Sequence, residues 1–470
     1  MNIKNILNIT TALAAALPED GKMKRVLNIL LLMVVAAPTA SFAATGKIVR
    51  TYGAKETVDG IAWQYRIING EAIVYMESKG VENKSSVVIP SRLGGCPVTT
   101  IGNVFQRHRT LASVTLPDTV TSIESSAFEE CESLASVTMP DGVTNIGSRA
   151  FWKCSGLTNV TIGANVKTIG EGAFCDCTGL ASVTIPNGVV RIEKNAFRGC
   201  VGLKSVTIPD SVTSIASYAF CDCKGLTSLT ISPGVTNIGS YAFCSCDELT
   251  SVTIPQSVED IGAHAFSGCD KLADVTISGR HIGKSAFAGC CALTNVTMLS
   301  GVQSIGENAF HDDRILTNVT MPEGLTSIGD NAFENCWALP RVTIPDSVET
   351  IGFCAFICCK ALEELTIPDN VGYVGPAAFM SCASLTNVTV GSSVNIIGYK
   401  AFAACVKLKD VYYLGKSKPR VGDRIYLATP KDLVSHARWI PPVANMGRPA
   451  TARKVWQERE IKWLPRGRGR

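Results

Sequence analysis

The 470-residue chain has little charge and few histidines, and it lacks the short motifs of common catalytic and metal sites. Charged residues make up 18% of it, and none of its five histidines lies in an H-E-x-x-H pattern. It contains no C-x-x-C pair, no G-x-S-x-G motif and no glycine-rich phosphate loop. These absences predict a protein that is not an enzyme and that carries no metal or cofactor.

Long apolar runs are also missing, apart from one near the N-terminus. The run Val26–Ala37 is too short to span a bilayer, and it follows the basic segment Met23–Arg25. Small residues within Ser41–Ala43 occupy the positions that a signal peptidase reads. We therefore expect residues 1–43 to be a signal peptide, with Met23 as an alternative start. The mature chain is expected to be secreted or at the cell surface, without a membrane span.

No basic stripe runs along the central part of the chain. Residues 44–411 carry 26 basic and 34 acidic residues, whereas residues 412–470 carry 14 basic and 4 acidic residues. A mildly acidic body argues against nucleic-acid binding, which needs a clustered positive surface. Residues 412–470 also contain three tryptophans, and we expect them to form a C-terminal cap followed by a basic tail.

What the chain does have is a phenylalanine at a fixed period. The spacing is 23 residues at every step but one, where it is 21. Such a period predicts a solenoid of stacked repeats rather than two or three globular domains. We expect fourteen units over residues 87–411. The fourteen phenylalanines are Phe105, Phe128, Phe151, Phe174, Phe197, Phe220, Phe243, Phe266, Phe287, Phe310, Phe333, Phe356, Phe379 and Phe402.

The segment Leu203–Cys223 shows what one repeat is expected to form. Its first part reads L-x-x-V-x-I, is rich in β-branched residues and ends at Pro209, which indicates a short strand. Val212 and Ile215 then point inward across a turn. The segment Ser217–Cys223 has room for one or two helical turns. No single unit can bury so many apolar side chains, so the units must stack with phenylalanine on phenylalanine.

The repeat resembles the leucine-rich repeats of the BspA-like family, whose consensus is close to LxxVxIPxxVxxIGxxAFxxCxxL. The resemblance implies an α/β solenoid, with a stacked parallel sheet and short helical or turn segments on the convex side. Residues 44–86 resemble the family's N-terminal cap, in which Gly60–Tyr75 reads as two strands around an Asn-Gly turn. The family resemblance also implies an extracellular or surface protein that acts in adhesion and protein recognition.

Cysteine is abundant for an exported chain, with 19 residues. Twelve of them lie three residues after the repeat phenylalanine, where stacking would place their thiols in one buried column. Side chains that point the same way at strand spacing do not favour disulfides, so we expect buried free thiols. Cys221 and Cys244 share another repeat position, one after the phenylalanine, and are the pair best placed to oxidise.

The outward face of the predicted sheet is the first candidate for partner binding. Thirteen of fourteen units carry threonine at its central outward position, which strand propensity alone can explain. Charged residues at the flanking outward positions are isolated in the middle of the chain and gather only in its C-terminal third. Those gathered there are Arg341, Glu363, Glu364, Lys409 and Asp410.

Irregular repeats form the second candidate. The unit containing Arg280 and His281 lacks two residues. The next unit has Leu299 in place of the usual proline and ends in His311-Asp312-Asp313, with Asp313 in place of the usual cysteine. Sequence drift is the simpler explanation of these departures, and a local notch for a ligand is the alternative. For the His311 cluster, a solvated turn is the simpler explanation, and a weak calcium or metal contact is the alternative. The predicted partner-binding residues are Arg280, His281, His311, Asp312, Asp313, Arg341, Glu363, Glu364, Lys409 and Asp410.

The function predicted from these features is binding of a protein or glycoprotein at a cell surface. The alternative is a structural surface or matrix protein without a defined ligand, which the uniform middle repeats would suit.

Overall fold

The computed structural model describes residues 51–75, 80–81, 84–415, 419–430, 434–437 and 461–463. All of these belong to one compact unit, Val49–Arg470. The expected signal peptide, residues 1–43, and most of the C-terminal tail lie outside the described residues. Within the described part, no helix is long and apolar enough to cross a membrane.

The N-terminal cap contains three antiparallel strands, Thr51–Val58, Ile61–Ile68 and Glu71–Val74. Asn69 and Gly70 form the turn between the second and third strands, with φ of 55° and 81°. These positive values are the conformations that an Asn-Gly turn supplies in a tight hairpin. The predicted hairpin is therefore confirmed, and its last strand pairs in parallel with Cys96–Ile101 of the repeats.

Each repeat forms one layer, and each except the one containing residues 341–344 contributes two short parallel strands. The first, which we call the threonine strand, alternates outward polar and inward apolar residues and pairs with its neighbours in register. The stack of threonine strands forms separate sheets of seven, four and five strands. They are Ser86–Val88, Ser113–Thr115, Ser136–Thr138, Asn159–Thr161, Ser182–Val183, Ser205–Ile208 and Ser228–Ile231; then Ser251–Ile254, Asp274–Ile277, Asn295–Met298 and Asn318–Thr320; then Glu364–Ile367, Asn387–Val390, Asp410–Tyr413, Val434–Ala437 and Ile461–Trp463.

The second strand of each layer is only two residues long in most repeats, and these strands join the N-terminal cap in one sheet of 19 strands. The first residue of these two-residue strands points outward and the second is buried, except in Arg420–Val421, where Val421 is partly buried. Besides the cap strands and Cys96–Ile101, the second strands are Ser122–Ile123, Asn145–Ile146, Thr168–Ile169, Arg191–Ile192, Ser214–Ile215, Asn237–Ile238, Asp260–Ile261, His281–Ile282, Ser304–Ile305, Ser327–Ile328, Thr350–Ile351, Tyr373–Val374, Ile396–Ile397 and Arg420–Val421. The short strand Arg92–Leu93 pairs with Cys96–Ile101.

The segments around the repeat phenylalanines differ from the prediction in one respect, because they are turns rather than helical turns. The one helix in the described part of the chain is a 3-10 turn at Asn103–Phe105. In the other repeats, the residues two before and two after the phenylalanine have positive φ, as at Tyr218 (61°) and Asp222 (60°). Two left-handed residues in five interrupt any α-helix, since that helix needs negative φ throughout.

The fourteen phenylalanines form one continuous stack in the core. Adjacent ring centroids lie 5.0–5.6 Å apart with interplanar angles of 2–11°. Trp63 of the cap covers the first ring edge-on at 6.4 Å, and Tyr426 continues the stack beyond Phe402 at 6.2 Å. The stacked parallel architecture predicted from the phenylalanine period is confirmed, and the layer pattern extends past residue 411.

The twelve cysteines three residues after the phenylalanines are all buried, as predicted. Each Sγ donates a hydrogen bond to the carbonyl of the phenylalanine in the preceding layer, at 3.0–3.4 Å. Burial raises the pKa of the Cys154 thiol, for example, to about 12. The column of thiols therefore supplies hydrogen-bond donors that link successive turns.

Candidate functional site

The stack of threonine strands is interrupted at Pro340. In neighbouring repeats the residue at this position donates its backbone N–H one layer back, as Thr317 does to Thr294 (3.0 Å) and Thr386 to Glu363 (2.8 Å). Proline has no N–H, so the corresponding bond to Thr317 cannot form. The segment 341–344 consequently makes no ladder with Asn318–Thr320, and only a single bridge joins it to the following layer, between Arg341 and Glu364.

A groove of about 440 Å³ lies at this interruption. It is lined by two adjacent layers, which contribute the outward residues Arg341 and Thr343 on one side and Glu363, Glu364 and Thr366 on the other. Other layers are held together by longer ladders; Glu364–Ile367, for instance, pairs over four residues with the strand that follows it. The groove therefore lies where ladder pairing is lost after Pro340.

The charged side chains at the groove are not paired with each other. Arg341, Glu363 and Glu364 are exposed, and none of them forms an ion pair or a side-chain hydrogen bond with another described residue. Arg341 and Glu364 nevertheless face each other across the bridge between their layers. Unpaired charges of both signs around an open groove can bind charged and hydrogen-bonding groups of a partner.

Lys409 and Asp410 lie on the same face but apart from the groove. The register places Asn387 between Glu364 and Asp410, so these two carboxylates are two layers apart. The predicted charges of the C-terminal third thus form a group of three at the groove and a separate pair further along the stack.

Arg280 and His281 lie on the second sheet, away from the threonine strands. Arg280 donates from Nε to Gln303 Oε1 at 2.9 Å, and His281 Nδ1 lies 2.9 Å from Ser304 Oγ. The two missing residues leave Gly279 buried, where a Cβ would lie 3.1 Å from the Val258 carbonyl oxygen. The short repeat is accommodated by tight packing against the preceding layer, and its polar side chains bind the following layer.

The cluster His311-Asp312-Asp313 is divided between surface and core. Asp312 accepts a hydrogen bond from Asn335 Nδ2 at 2.8 Å and lies 3.7 Å from His311 Nε2 and from Arg314. Asp313 is fully buried in the cysteine column. Its carboxylate therefore cannot act together with its two neighbours, and no group of three or more His, Cys, Asp and Glu residues in the described part of the chain is arranged to hold a metal ion.

An exposed apolar patch in the same C-terminal repeats was missed in the sequence. Phe353, Tyr373, Ile396 and Tyr399 are 38–47% exposed, and Pro376 lies between them. Tyr373 and Ile396 pair in register on the second sheet, while Phe353, Pro376 and Tyr399 occupy one repeat position in three successive layers. We call these five residues the apolar patch.

The signal for the apolar patch is visible when one repeat position is followed down the chain. The position that holds Phe353, Pro376 and Tyr399 is polar or small in the earlier units, and Phe353 is the one phenylalanine after residue 105 that lies outside the core stack. The position of Tyr373 and Ile396 shows the same change. In preceding layers, the position of Phe353 holds Lys194, Ser217, Ser240, Ala263, Lys284, Glu307 and Asp330. The position of Tyr373 holds Ser214, Asn237, Asp260, His281, Ser304, Ser327 and Thr350.

Comparison with known protein families agrees with this architecture. The family model described as a BspA type leucine rich repeat region (6 copies) matches residues 99–226, 167–280, 190–316 and 280–409. The chain therefore belongs to the BspA-type leucine-rich repeat family, as its repeats predict. No curated protein matches the chain.

Solved structures of leucine-rich repeat proteins are similar to this chain. One from Bacteroides ovatus is 24% identical with a TM-score of 0.57, and the match covers 82% of this chain and all of that one (100%). A leucine rich cell surface protein from Faecalibacterium prausnitzii is 26% identical with a TM-score of 0.42, covering 78% and 96%. The T. pallidum leucine rich repeat protein is 31% identical with a TM-score of 0.38, covering 42% and 91%.

Proposed function

We propose that this chain is an exported, non-enzymatic scaffold that binds a protein or glycoprotein at a cell surface through the groove beside Arg341. The observation that carries the proposal is the interruption at Pro340, which leaves Arg341, Glu363 and Glu364 exposed and unpaired around an open groove. The apolar patch on the same repeats supports protein binding, because exposed contiguous apolar surface with aromatic residues is typical of interaction sites. Export rests on the signal-peptide pattern of residues 1–43.

Binding of the labelled mature chain to intact cells tests the proposal. The double variant Arg341→Glu/Glu364→Lys reverses both facing charges and keeps the net charge, so nonspecific attraction is unchanged. We expect saturable binding by the wild type, and at least about tenfold weaker binding by the variant, which corresponds to about 1.4 kcal/mol. The matched control is Lys204→Glu/Asp274→Lys, which reverses two outward charges in the middle of the threonine strands.

Two outcomes would contradict the proposal. Unchanged binding by Arg341→Glu/Glu364→Lys would exclude the groove, and an equal loss in the control variant would mean that general electrostatics determine binding. Treating the cells with protease before the titration should abolish binding to a protein or glycoprotein. The alternative, a structural matrix role suggested by the uniform threonine rows, instead predicts weak binding that does not saturate and does not respond to either variant.

A further inference from the structure

The repeat position immediately after the phenylalanine holds cysteines that lie outside the buried thiol column. Cys221 and Cys244 occupy this position in adjacent layers, and Cys175 lies two layers before Cys221, with Arg198 between them. The backbone N–H of Asp222 donates to the carbonyl of Cys244 at 2.8 Å, which fixes the two turns side by side. Cys221 and Cys244 are therefore held at equivalent points of two turns.

Aromatic stacks hold the two turns on both sides. The Phe220 and Phe243 rings are 5.3 Å apart on the core side, and the Tyr218 and Tyr241 rings are 4.7 Å apart on the outer side. Disulfide-bonded cysteines have Cβ atoms about 3.5–4.5 Å apart. The stacked rings place the two layers 4.7–5.3 Å apart. A disulfide between Cys221 and Cys244 thus requires the two turns to approach each other by only about 1 Å.

The two thiols are chemically unequal. Hydrogen bonding between the two thiols lowers the pKa of Cys244 and raises the pKa of Cys221. The Cys221 thiol also donates to Asp222 Oδ2 at 3.4 Å, which raises its pKa further. Ser245 Oγ lies 3.6 Å from Cys244 Sγ and also lowers the pKa of Cys244, while burial and the carboxylates of Asp222 and Asp247 act in the opposite direction. The lowered pKa gives Cys244 thiolate character, and its partial exposure lets other molecules reach it. A reactive cysteine needs both properties.

The threonine strands that follow these two cysteines are not paired with each other. Ser228–Ile231 follows Cys221 and Ser251–Ile254 follows Cys244 by the same number of residues. These two strands belong to different sheets, and no ladder joins them in the described structure. A covalent link between Cys221 and Cys244 would therefore join two layers where the sheet itself does not.

We propose that Cys221 and Cys244 are a reversible dithiol site that reacts with disulfides, either low-molecular-weight or on a protein. The Cys244 thiolate attacks one sulfur of a disulfide RSSR, which breaks the S–S bond and releases RS⁻. Cys221 then loses its proton to water, its sulfur attacks Cys244 Sγ, and the second RS⁻ leaves. Two protein thiols are oxidised and one disulfide is reduced to two thiols. The bond formed draws the layers together, so it is strained and easily reduced.

The experiment uses the full mature chain, purified reduced, and oxidised glutathione as the probe. After reaction, free thiols are blocked and peptides are identified by mass spectrometry. We expect a Cys221–Cys244 cross-link that dithiothreitol reverses, while the buried neighbours Cys246 and Cys269 stay reduced in the same molecules and serve as the internal control. Cys221→Ser should stop at the mixed disulfide on Cys244, and Cys244→Ser should not react at this site.

The pH dependence of alkylation of the native protein provides a second measurement. Cys244 should be the first cysteine to react with iodoacetamide, and its midpoint should rise in Cys221→Ala, because alanine cannot donate a hydrogen bond to the thiolate. The proposal is overturned if glutathione links other cysteines first, if the wild type stops at the mixed disulfide, or if alkylation of Cys244 follows the same pH profile in both proteins.

Discussion

Asp313 occupies the place of a buried cysteine, and its Oδ1 accepts a hydrogen bond from the backbone N–H of Cys290 at 2.8 Å. Its other oxygen, Oδ2, is buried without a hydrogen-bond partner among the described residues. Burial raises the pKa of this carboxyl well above its ordinary value. A protonated Asp313 can donate from Oδ2, as the thiols do in other layers, so the neutral form suits the column.

The first prediction concerns the pH dependence of stability at Asp313. The folded-state pKa is above the unfolded value of about 3.9, so the folded state retains the proton longer. The contribution of Asp313 is therefore most favourable below pH about 4, and it is lost as pH rises toward the folded-state pKa. Asp313→Asn keeps the shape without a titrating group, so its gain in unfolding free energy over the wild type should increase with pH.

Denaturant titrations of both proteins between pH 4 and 8 measure this difference. At pH 7, Asp313→Cys should also stabilise the chain by about 1–3 kcal/mol, because it removes an unpartnered buried group and restores the thiol donor. A difference between Asp313→Asn and the wild type that is constant across this pH range would mean that Asp313 keeps an ordinary pKa.

The second prediction compares two phenylalanines in different environments. Phe243 is fully buried between two stacked rings, whereas Phe353 is 47% exposed. Phe243→Ala should lower the unfolding free energy by about 3–5 kcal/mol, through lost burial and a cavity in the stack. Phe353→Ala should change it by less than about 0.5 kcal/mol. Urea unfolding followed by circular dichroism measures both; similar losses would mean that Phe353 is covered in solution.

The third prediction concerns the glycine that follows the second strand. A Cβ on Gly262 would lie 2.5 Å from the backbone of Gly239 and Ser240 in the preceding layer, so close packing of layers requires glycine there. Gly262→Ala should destabilise the chain by about 1–3 kcal/mol. Gly372→Ala is the matched control, since its nearest neighbour would be 4.0 Å away. Equal midpoints of thermal unfolding for the two variants would contradict this explanation.

Much of the fold follows from local sequence patterns with a physical basis. The phenylalanine period predicts the layers, the Asn69-Gly70 turn predicts the hairpin, and alternation predicts which threonines face outward. The turns around the phenylalanines were not predictable in the same way. Tyr218 and His264 adopt positive φ there although neither is glycine. Hydrogen bonds between layers, such as Tyr218 N–H to the Ser240 carbonyl at 3.0 Å, hold that conformation.

The candidate site, like the fold, could be predicted from the sequence only in part. Arg341, Glu363 and Glu364 could be grouped from the sequence because they share outward positions of adjacent repeats. The groove between them depends on a missing backbone bond at Pro340. Its effect appears only when the hydrogen bonds of neighbouring layers are compared. The apolar patch lies across two repeat positions, so a consensus read along one repeat does not reveal it.

The fourth prediction tests whether Pro340 causes the groove. Pro340→Thr restores an N–H at the position where Thr317 and Thr386 donate to the preceding layer. We expect the ladder to extend, so that amides of residues 341–344 exchange with deuterium at least about tenfold more slowly, which corresponds to about 1.4 kcal/mol of added protection. Partner binding should weaken, because the groove narrows while all its charges remain.

Pro209→Thr is the control for this change. Pro209 follows Ser205–Ile208, a threonine strand whose ladder with the next layer is complete over four residues. This variant should leave both the exchange of residues 341–344 and partner binding unchanged. If those amides exchange as fast in Pro340→Thr as in the wild type, the interruption has another origin. Slower exchange with undiminished binding would mean that partner binding does not depend on the open groove. The charges of Arg341 and Glu364 would then be the determinants to test.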